Sequence, residues 1–518
     1  MATYPLGSTK GKWIMVSAIL ASAMAFIDAT ALNVVLPALQ KSLNATGTDL
    51  FWLLNAYLLM LASLILIGGS LGDKLGRKKI FMAGIVIFIA GSAACGLAPG
   101  VTWLIAFRIV QGIGGALMIP GSLSLISSSI DEKERGRAIG TWSAVTTIVT
   151  MGGPILGGAL ADAGLWRFIF FINVPIGLAA LTILWQQVPE SRDTRSGKSI
   201  DIPGAVTIAF GLALLTFGFL RVPAVGWNSI QVICSLAAGM VFFAAFILVQ
   251  KKSSHPMMPL KLFSNATFSA VNLLTFFLYA GLGSGMLFMS LNLVQAQGYS
   301  QLQSGLTFLP FTIMMVTIAR FAGGLADKYG PRRLLITGPA LAGAGLLVLS
   351  FVKQTNGPPD YWTTFFPGII VFGLGMSFTV APLTATVMGS VSDHFSGTAS
   401  GINNALTRIA NVFANAIFGA LAVLFFSGAL QREIQNIPIT AKEKQSVVAQ
   451  AGNLGNAKVP AQLPADQKIA VEKSYHSAFI HAYQVILRIS AGLAFLGALM
   501  AVLFIKDKVI KHRKPLGP

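Results

Sequence analysis

A single carboxyl group lies well inside an apolar stretch of this sequence. Asp28 belongs to a mainly apolar run at 13–37, whereas the other acidic residues fall in loops or near predicted helix ends. An ionisable side chain at mid-membrane is costly and is a functional candidate by default. The chemistry available to such a carboxyl is reversible proton binding. The alternative is a protonated structural aspartate, hydrogen-bonded to a neighbouring helix.

A second apolar stretch, at 101–125, contains one arginine, Arg108. Gln111 follows about one helical turn later and therefore lies on the same face. An arginine inside a membrane span faces protein or a water-filled cavity, so Arg108 predicts a polar interior at this level. The alternative is that Arg108 extends its charged end to the membrane surface.

Long apolar elements are needed to position these side chains. The 518 residues are 54% hydrophobic and only 11% charged, whereas soluble domains are about 25% charged. The solvent of this chain is therefore lipid, and about 20 apolar residues make one helical span. We predict an all-α polytopic membrane protein with fourteen spans, at 13–37, 50–72, 79–98, 101–125, 138–162, 167–187, 203–221, 229–250, 266–294, 303–326, 334–352, 362–388, 397–427 and 479–505.

The net charge of +19 fits the same interpretation. With both termini in the cytoplasm, Lys and Arg concentrate in the cytoplasmic loops, as the positive-inside rule requires. The basic groups at 74–79, 332–333 and 506–514 all fall on that side. The charge therefore predicts a lipid bilayer as partner and no nucleic acid. We expect no metal and no cofactor, since the two cysteines have no metal-ligand spacing.

An internal repeat divides the chain. The segment starting at Gly69 reads GSLGDKLGRKKI, and the segment starting at Gly323 reads GGLADKYGPRRL. Such repeats are known in transporters with two related halves around a midplane site. We predict a six-helix half at 1–200, an inserted helix pair at 201–264, and a second six-helix half at 265–518 with a long extracytoplasmic loop at 428–478.

Two glycine-rich motifs are candidates for conformational roles. The cytoplasmic turn with Gly69, Asp73, Gly76 and Arg77 recurs at Asp327, which favours a latch between the halves over a merely topogenic turn. In the fifth span, Gly153 and Gly157 form a GxxxG face, and Pro154 removes a backbone hydrogen bond. This second motif predicts a hinge or a seal, with simple close packing as the alternative.

Together these segments resemble the major facilitator superfamily, specifically its fourteen-helix drug:proton antiporter branch of bacterial multidrug exporters. The resemblance covers nearly the whole chain and rests on FIDATALNVVLP, WLLNAYLL, GSLGDKLGRKK, LIAFRIVQGIGGA, GGPILGG and WRFIFFINVPIG. It implies proton-coupled efflux, with Asp28 protonatable, Arg108 as its partner, and the Gly153–Pro154 motif associated with export. The chain departs from this branch at Val149, where a glycine is usual, and in lacking further carboxylates in later spans.

On this resemblance the chain is expected to export amphipathic drugs or other small organic molecules in exchange for protons across a bacterial cytoplasmic (inner) membrane. Export of an endogenous metabolite or fatty acid, or a non-transporting membrane sensor or receptor, stays open, as does a periplasmic adaptor. A membrane enzyme is disfavoured, because the GxSxG match at 68–72 lies at a helix end rather than in a strand–turn–helix elbow. The candidate substrate-binding residues are Asn33, Asn55, Tyr57, Gln111, Trp142, Phe308, Phe311 and Asn404.

The fourteen-span topology can be tested with reporter fusions. With a cytoplasmic N-terminus, a reporter fused at Gly455 should read as extracytoplasmic because thirteen predicted spans precede it, and one fused at Arg195 as cytoplasmic because six precede it. Alkaline phosphatase and green fluorescent protein fusions would measure this. The same location for both sites would contradict fourteen spans.

Overall fold

The computed structural model describes residues 3–191, 201–391 and 395–505. Within its helices, a few side chains lie outside the described set, among them those of Asp73 and Asp327. The described chain is helical almost throughout. Its helices are α1 (Thr9–Leu43), α2 (Gly47–Leu75), α3 (Arg77–Leu97), α4 (Val101–Ser129), α5 (Glu132–Asp162), α6 (Phe168–Phe171), α7 (Asn173–Gln187), α8 (Ile202–Val225), α9 (Ile230–Lys252), α10 (Ala266–Gln295), α11 (Gln301–Thr307), α12 (Leu309–Tyr329), α13 (Pro331–Leu349), α14 (Tyr361–Gly389), α15 (Ser396–Glu433), α16 (Ala441–Ala449) and α17 (Ala465–Phe504).

The all-α membrane fold predicted from the sequence is confirmed. Thirteen segments of the described chain are long and apolar enough to cross a membrane, each at a predicted span. The remaining predicted span, 138–162, lies in α5, where the described residues include the apolar stretch Ile148–Asp162. Two of the predicted spans are each built from two successive helices, α6 with α7 and α11 with α12.

The helix boundaries follow local sequence signals. Thr46 caps α2, because its hydroxyl accepts from the Asp49 backbone and the Asp49 carboxylate accepts from the Thr46 backbone. Gly76 separates α2 from α3 with φ of 117°, a conformation that favours glycine. The short turn predicted between the second and third spans is therefore present.

The loop predicted at 428–478 is shorter in the structure. Helix α15 continues to Glu433, and α17 begins at Ala465, so the connection covers 434–464 and contains α16. The apolar runs end at 427 and begin again at 479, but both helices extend beyond these positions with polar residues on one side. We call the end of the bundle that carries residues 434–464 the capped end.

Two groups of helices meet along a central interface. Helix α1 packs on α4, α5 and α7, and α4 also packs on α2 and α3. The second group is formed by later helices. Helices α10 and α13 both pack on α17, and α14 packs on α13. The groups join where α15 contacts α2 and where α11 contacts α5, while α8 and α9 pack together beside α2 and α15. The polar residues Asp28 of α1 and Arg108 and Gln111 of α4 therefore lie inside the first group.

Candidate functional site

Asp28 and Arg108 form an ion pair in the interior of the first helix group. Arg108 Nη1 lies 2.5 Å from Asp28 Oδ2, and both residues are only 1% exposed. Gln111 Nε2 donates to the second carboxylate oxygen, Asp28 Oδ1, at 2.9 Å. Gln111 Oε1 accepts from Arg108 Nη1 at 2.7 Å, which closes a three-membered hydrogen-bond ring. Arg108 therefore does not extend to the membrane surface.

Neighbouring side chains complete a polar cluster that we define as Asp28, Tyr57, Cys95, Arg108 and Gln111. The Arg108 guanidinium carbon lies 4.3 Å from the centre of the Tyr57 ring, a cation–π geometry. Cys95 Sγ lies 3.8 Å from Gln111 Oε1. All five side chains are buried. The Arg108 guanidinium is thus surrounded by protein: the Asp28 carboxylate, the Gln111 amide and the face of the Tyr57 ring.

Small residues bring the helices of the polar cluster together. Gly112 of α4 faces the backbone of α2, and a Cβ at this position would lie 2.6 Å from the carbonyl oxygen of Tyr57. Gly91 of α3 similarly faces Gln111, where a Cβ would lie 2.8 Å from the backbone nitrogen. These glycines allow the close approach that lets short polar side chains meet across helices.

The glycine–proline motif of α5 contacts two different helices. Gly153 and Gly157 face Thr30 and Ala31 of α1, so the predicted GxxxG face packs within the first group. On the adjoining face, Gly158 approaches the backbone of Gln301 at the start of α11, in the second group. The Pro154 carbonyl faces Gly305 of α11. One short segment of α5 therefore seals against both α1 and α11.

An acidic residue secures this seal at the capped end. Asp162, the last residue of α5, accepts from the Ser300 hydroxyl at 2.7 Å and from the backbone nitrogens of Gln301 and Leu302 at 2.9 and 3.0 Å. The carboxylate therefore caps the N-terminus of α11, where anions are stabilised. The sequence carries no signal for this role, because no spacing pattern connects positions so far apart.

Further polar contacts join the two groups at the same end. Gln295 Nε2 donates to Gln40 Oε1 at 2.9 Å, and Asn456 Nδ2 donates to the same oxygen at 3.0 Å. Gln40 Nε2 in turn donates to the Asn453 carbonyl at 3.0 Å. In this conformation the capped end is closed.

At the opposite end, the α2–α3 turn is held by Glu190, a residue for which the sequence predicts no role. Glu190 accepts from the backbone nitrogens of Lys78 and Lys79 at 3.0 and 3.2 Å, and so caps α3. Gly76 lies directly against this carboxylate. A Cβ added at Gly69 would make only an ordinary contact with Pro120. The Arg77 backbone nitrogen donates to the Ser191 carbonyl. The side chains of Asp73 and Asp327 lie outside the described residues.

The predicted substrate-binding residues occupy several environments. Tyr57 and Gln111 belong to the polar cluster. Trp142 Nε1 donates to Ser22 Oγ at 3.0 Å. Phe308 and Phe311 line a small apolar cavity in the second group, and Phe311 stacks on Phe372 with ring centres 5.2 Å apart.

The three predicted asparagines differ in exposure. Asn33 is half-buried, and its carbonyl accepts from Ser290 Oγ at 3.3 Å. Asn55 is fully buried, with no hydrogen-bond partner for its amide among the described atoms. Asn404 of α15 is exposed. One helical turn later, the bundle contains another partly buried basic residue, Arg408. The sequence predicts no role for it, although an arginine inside the apolar run at 397–427 is itself a signal of a functional site.

Comparisons with known proteins agree with this architecture. The sequence profile of the Major Facilitator Superfamily matches residues 18–415. The tetracenomycin C resistance and export protein of Streptomyces glaucescens is 29% identical over 95% of this chain and 91% of its own length. The methylenomycin A resistance protein of Bacillus subtilis is 30% identical over 82% of this chain and 90% of its own.

A solved structure shows the same fold. The bacterial homologue of the human lysosomal transporter Spinster, inward-facing and unoccupied, superposes with a TM-score of 0.65 at 19% identity. The match covers 96% of this chain and 98% of that one. At this identity the likeness concerns the fold alone.

The energetics of the buried ion pair can be tested by a double-mutant cycle. Asp28→Asn or Arg108→Gln alone should lower the free energy of unfolding by about 3–5 kcal/mol, because each leaves one buried charge without its partner. The double variant should lose clearly less than the sum of the two. Chemical unfolding of the purified protein in detergent, followed by tryptophan fluorescence, would measure this. Strictly additive losses would contradict direct coupling.

Proposed function

The chain belongs to the Major Facilitator Superfamily, and from that premise we propose that it is a proton-coupled antiporter that exports small amphipathic organic molecules. Its family and fold are those of transporters rather than enzymes. Its relatives are named as multidrug and antibiotic resistance proteins. The single observation that carries the proton-coupling proposal is the buried carboxylate of Asp28, both oxygens of which accept hydrogen bonds.

Proton binding changes the contacts between α1 and α4. Both carboxylate oxygens accept from donors on α4, Oδ2 from Arg108 and Oδ1 from Gln111. A proton on either oxygen occupies an acceptor site and removes the negative charge that balances Arg108. Protonation therefore weakens the α1–α4 connection, and loss of the proton restores it. Helix α1 also packs on α5, and α5 packs on α11. A shift of α1 on protonation of Asp28 is therefore transmitted through α5 to the contact between α5 and α11.

The proposal needs two alternating conformations. In the present one, Asp162 and the Gln40 contacts close the capped end. Opening of this end requires α11 to leave α5, with the Gly153–Pro154–Gly157 segment as hinge. We assign the capped end to the extracytoplasmic side and both termini to the cytoplasm of a bacterium. The turn with Gly69, Asp73, Gly76 and Arg77, and its repeat at Asp327, would latch the cytoplasmic side in the other conformation.

The proton gradient supplies sufficient driving force. Each proton contributes about 1.4 kcal/mol per pH unit and about 2.3 kcal/mol per 100 mV of membrane potential. One or two protons per cycle therefore sustain a concentration ratio of tenfold or more.

Coupled export can be tested in everted membrane vesicles. Asp28→Asn keeps the shape of the side chain but removes its titratable group, so proton-driven accumulation of an exported dye should fall to background. Asp28→Glu is the matched control and should keep part of the activity with an altered pH profile. Full proton-driven transport by Asp28→Asn would contradict the proposal, whereas its loss in both variants with normal folding would implicate shape rather than charge.

A further inference from the structure

A polar stripe runs along α15. Asn404, Arg408, Asn411 and Asn415 follow one another at intervals of four, three and four residues, which places them on one face of a helix. Arg408 lies about 18 Å along the helix from its first residue, at a rise of about 1.5 Å per residue. The stripe therefore lies well within the membrane-spanning part of α15.

The two neighbouring faces of α15 show where the stripe points. On one side, Val412 and Ile409 pack with Leu59 of α2 in an apolar cluster. On the other side, Asn403 Nδ2 donates to Asn272 Oδ1 at 3.1 Å and to Thr275 Oγ1 at 2.7 Å, both on α10. The stripe lies between the face packed on α2 and the face packed on α10, toward the interface between the two helix groups.

Lipid is an unsuitable environment for this stripe. An arginine and three asparagines facing hydrocarbon would be strongly unfavourable, so such side chains face protein or a water-filled cavity. Asn411 lies against Gly283 of α10, and Asn415 is buried. Asn404 and Arg408, nearer the opposite end from the cap, retain exposure in the conformation that is closed at the capped end.

The two interior arginines differ in their partners. Arg108 is paired with Asp28, whereas the Arg408 guanidinium makes no ion pair or hydrogen bond within the described part of the chain. Asp28 cannot balance its positive charge while both carboxylate oxygens are bound by α4 donors. The interface between the groups therefore carries an uncompensated positive charge.

We propose that Arg408 binds an anionic group of the transported molecule, so that the chain selects amphipathic organic acids such as carboxylates and phenolates over lipophilic cations. Asn404 and Asn411 flank the guanidinium as amide hydrogen-bonding groups on the same face. Arginine suits this role because its planar fork matches a carboxylate. A lipophilic cation in the same place would meet an unbalanced like charge. This inference rests on the proposed export function and specifies its substrate class.

Two dyes provide a matched test, since fluorescein and rhodamine 6G share a xanthene ring system but carry opposite charges near neutral pH. Binding to the purified protein in nanodiscs would be followed by fluorescence anisotropy. The wild type should bind fluorescein more tightly than rhodamine 6G. Arg408→Gln should weaken fluorescein binding about ten- to hundredfold, as expected for a lost hydrogen bond to a charged group, and leave rhodamine 6G binding unchanged or tighter. Arg408→Lys keeps the positive charge but loses the planar fork, so its fluorescein affinity should lie between those of the wild type and Arg408→Gln.

The control is Arg488→Gln, which removes a positive charge from α17, where the guanidinium lies over the Phe351 ring. This variant should bind both dyes as the wild type does. Equal weakening of both dyes by Arg408→Gln, or a wild type that prefers rhodamine 6G, would overturn the inference. Because the assay measures binding without a proton gradient, selective fluorescein binding in a protein that fails to transport would sink the antiport proposal and leave the anion site standing.

Discussion

One buried carboxylate constrains the first helix group. Asp28 is only 1% exposed and has two oxygens, each of which accepts from a different α4 side chain. A charge in such a position is tolerated because Arg108 balances it and Gln111 satisfies the remaining acceptor. Removal of any one of these three side chains would leave a buried polar group without its partner. The positions of α1 and α4 relative to each other are thereby fixed.

Small residues connect this constraint to the rest of the bundle. Gly112 and Gly91 let α2 and α3 approach α4, so that the Tyr57 ring lies under the Arg108 guanidinium. Gly157 lets α5 approach α1, and Gly158 lets the same helix approach α11 of the other group. A change in the charge of Asp28 therefore has a short path of packed backbone to the closed end, where Asp162 caps α11. The coupling we propose needs no element beyond this path.

Much of this arrangement was predictable from the sequence, because membrane spans and intramembrane charges leave strong local signals. Asp28, Arg108 and Gln111 were selected by their position within apolar runs, and the structure places all three in contact. Contacts between distant positions left no such signal. Asp162 looked like an ordinary loop acid and Glu190 like a connection residue, although each caps a helix that begins far away in the sequence. Arg408 does leave a local signal, an arginine inside an apolar run, but what distinguishes it from Arg108 is its lack of a partner among the described residues, which only the structure shows.

The most direct measurement of the central claim, that Asp28 carries the coupled proton, is the release of protons on substrate binding. A purified sample in weakly buffered detergent solution, with a pH-sensitive dye, would receive a saturating amount of an exported compound that does not itself titrate near the working pH. The account predicts proton release from the wild type, on the order of one proton per molecule or less, and none from Asp28→Asn at equal substrate occupancy. Unchanged release from Asp28→Asn would contradict it and assign the coupled proton to another group.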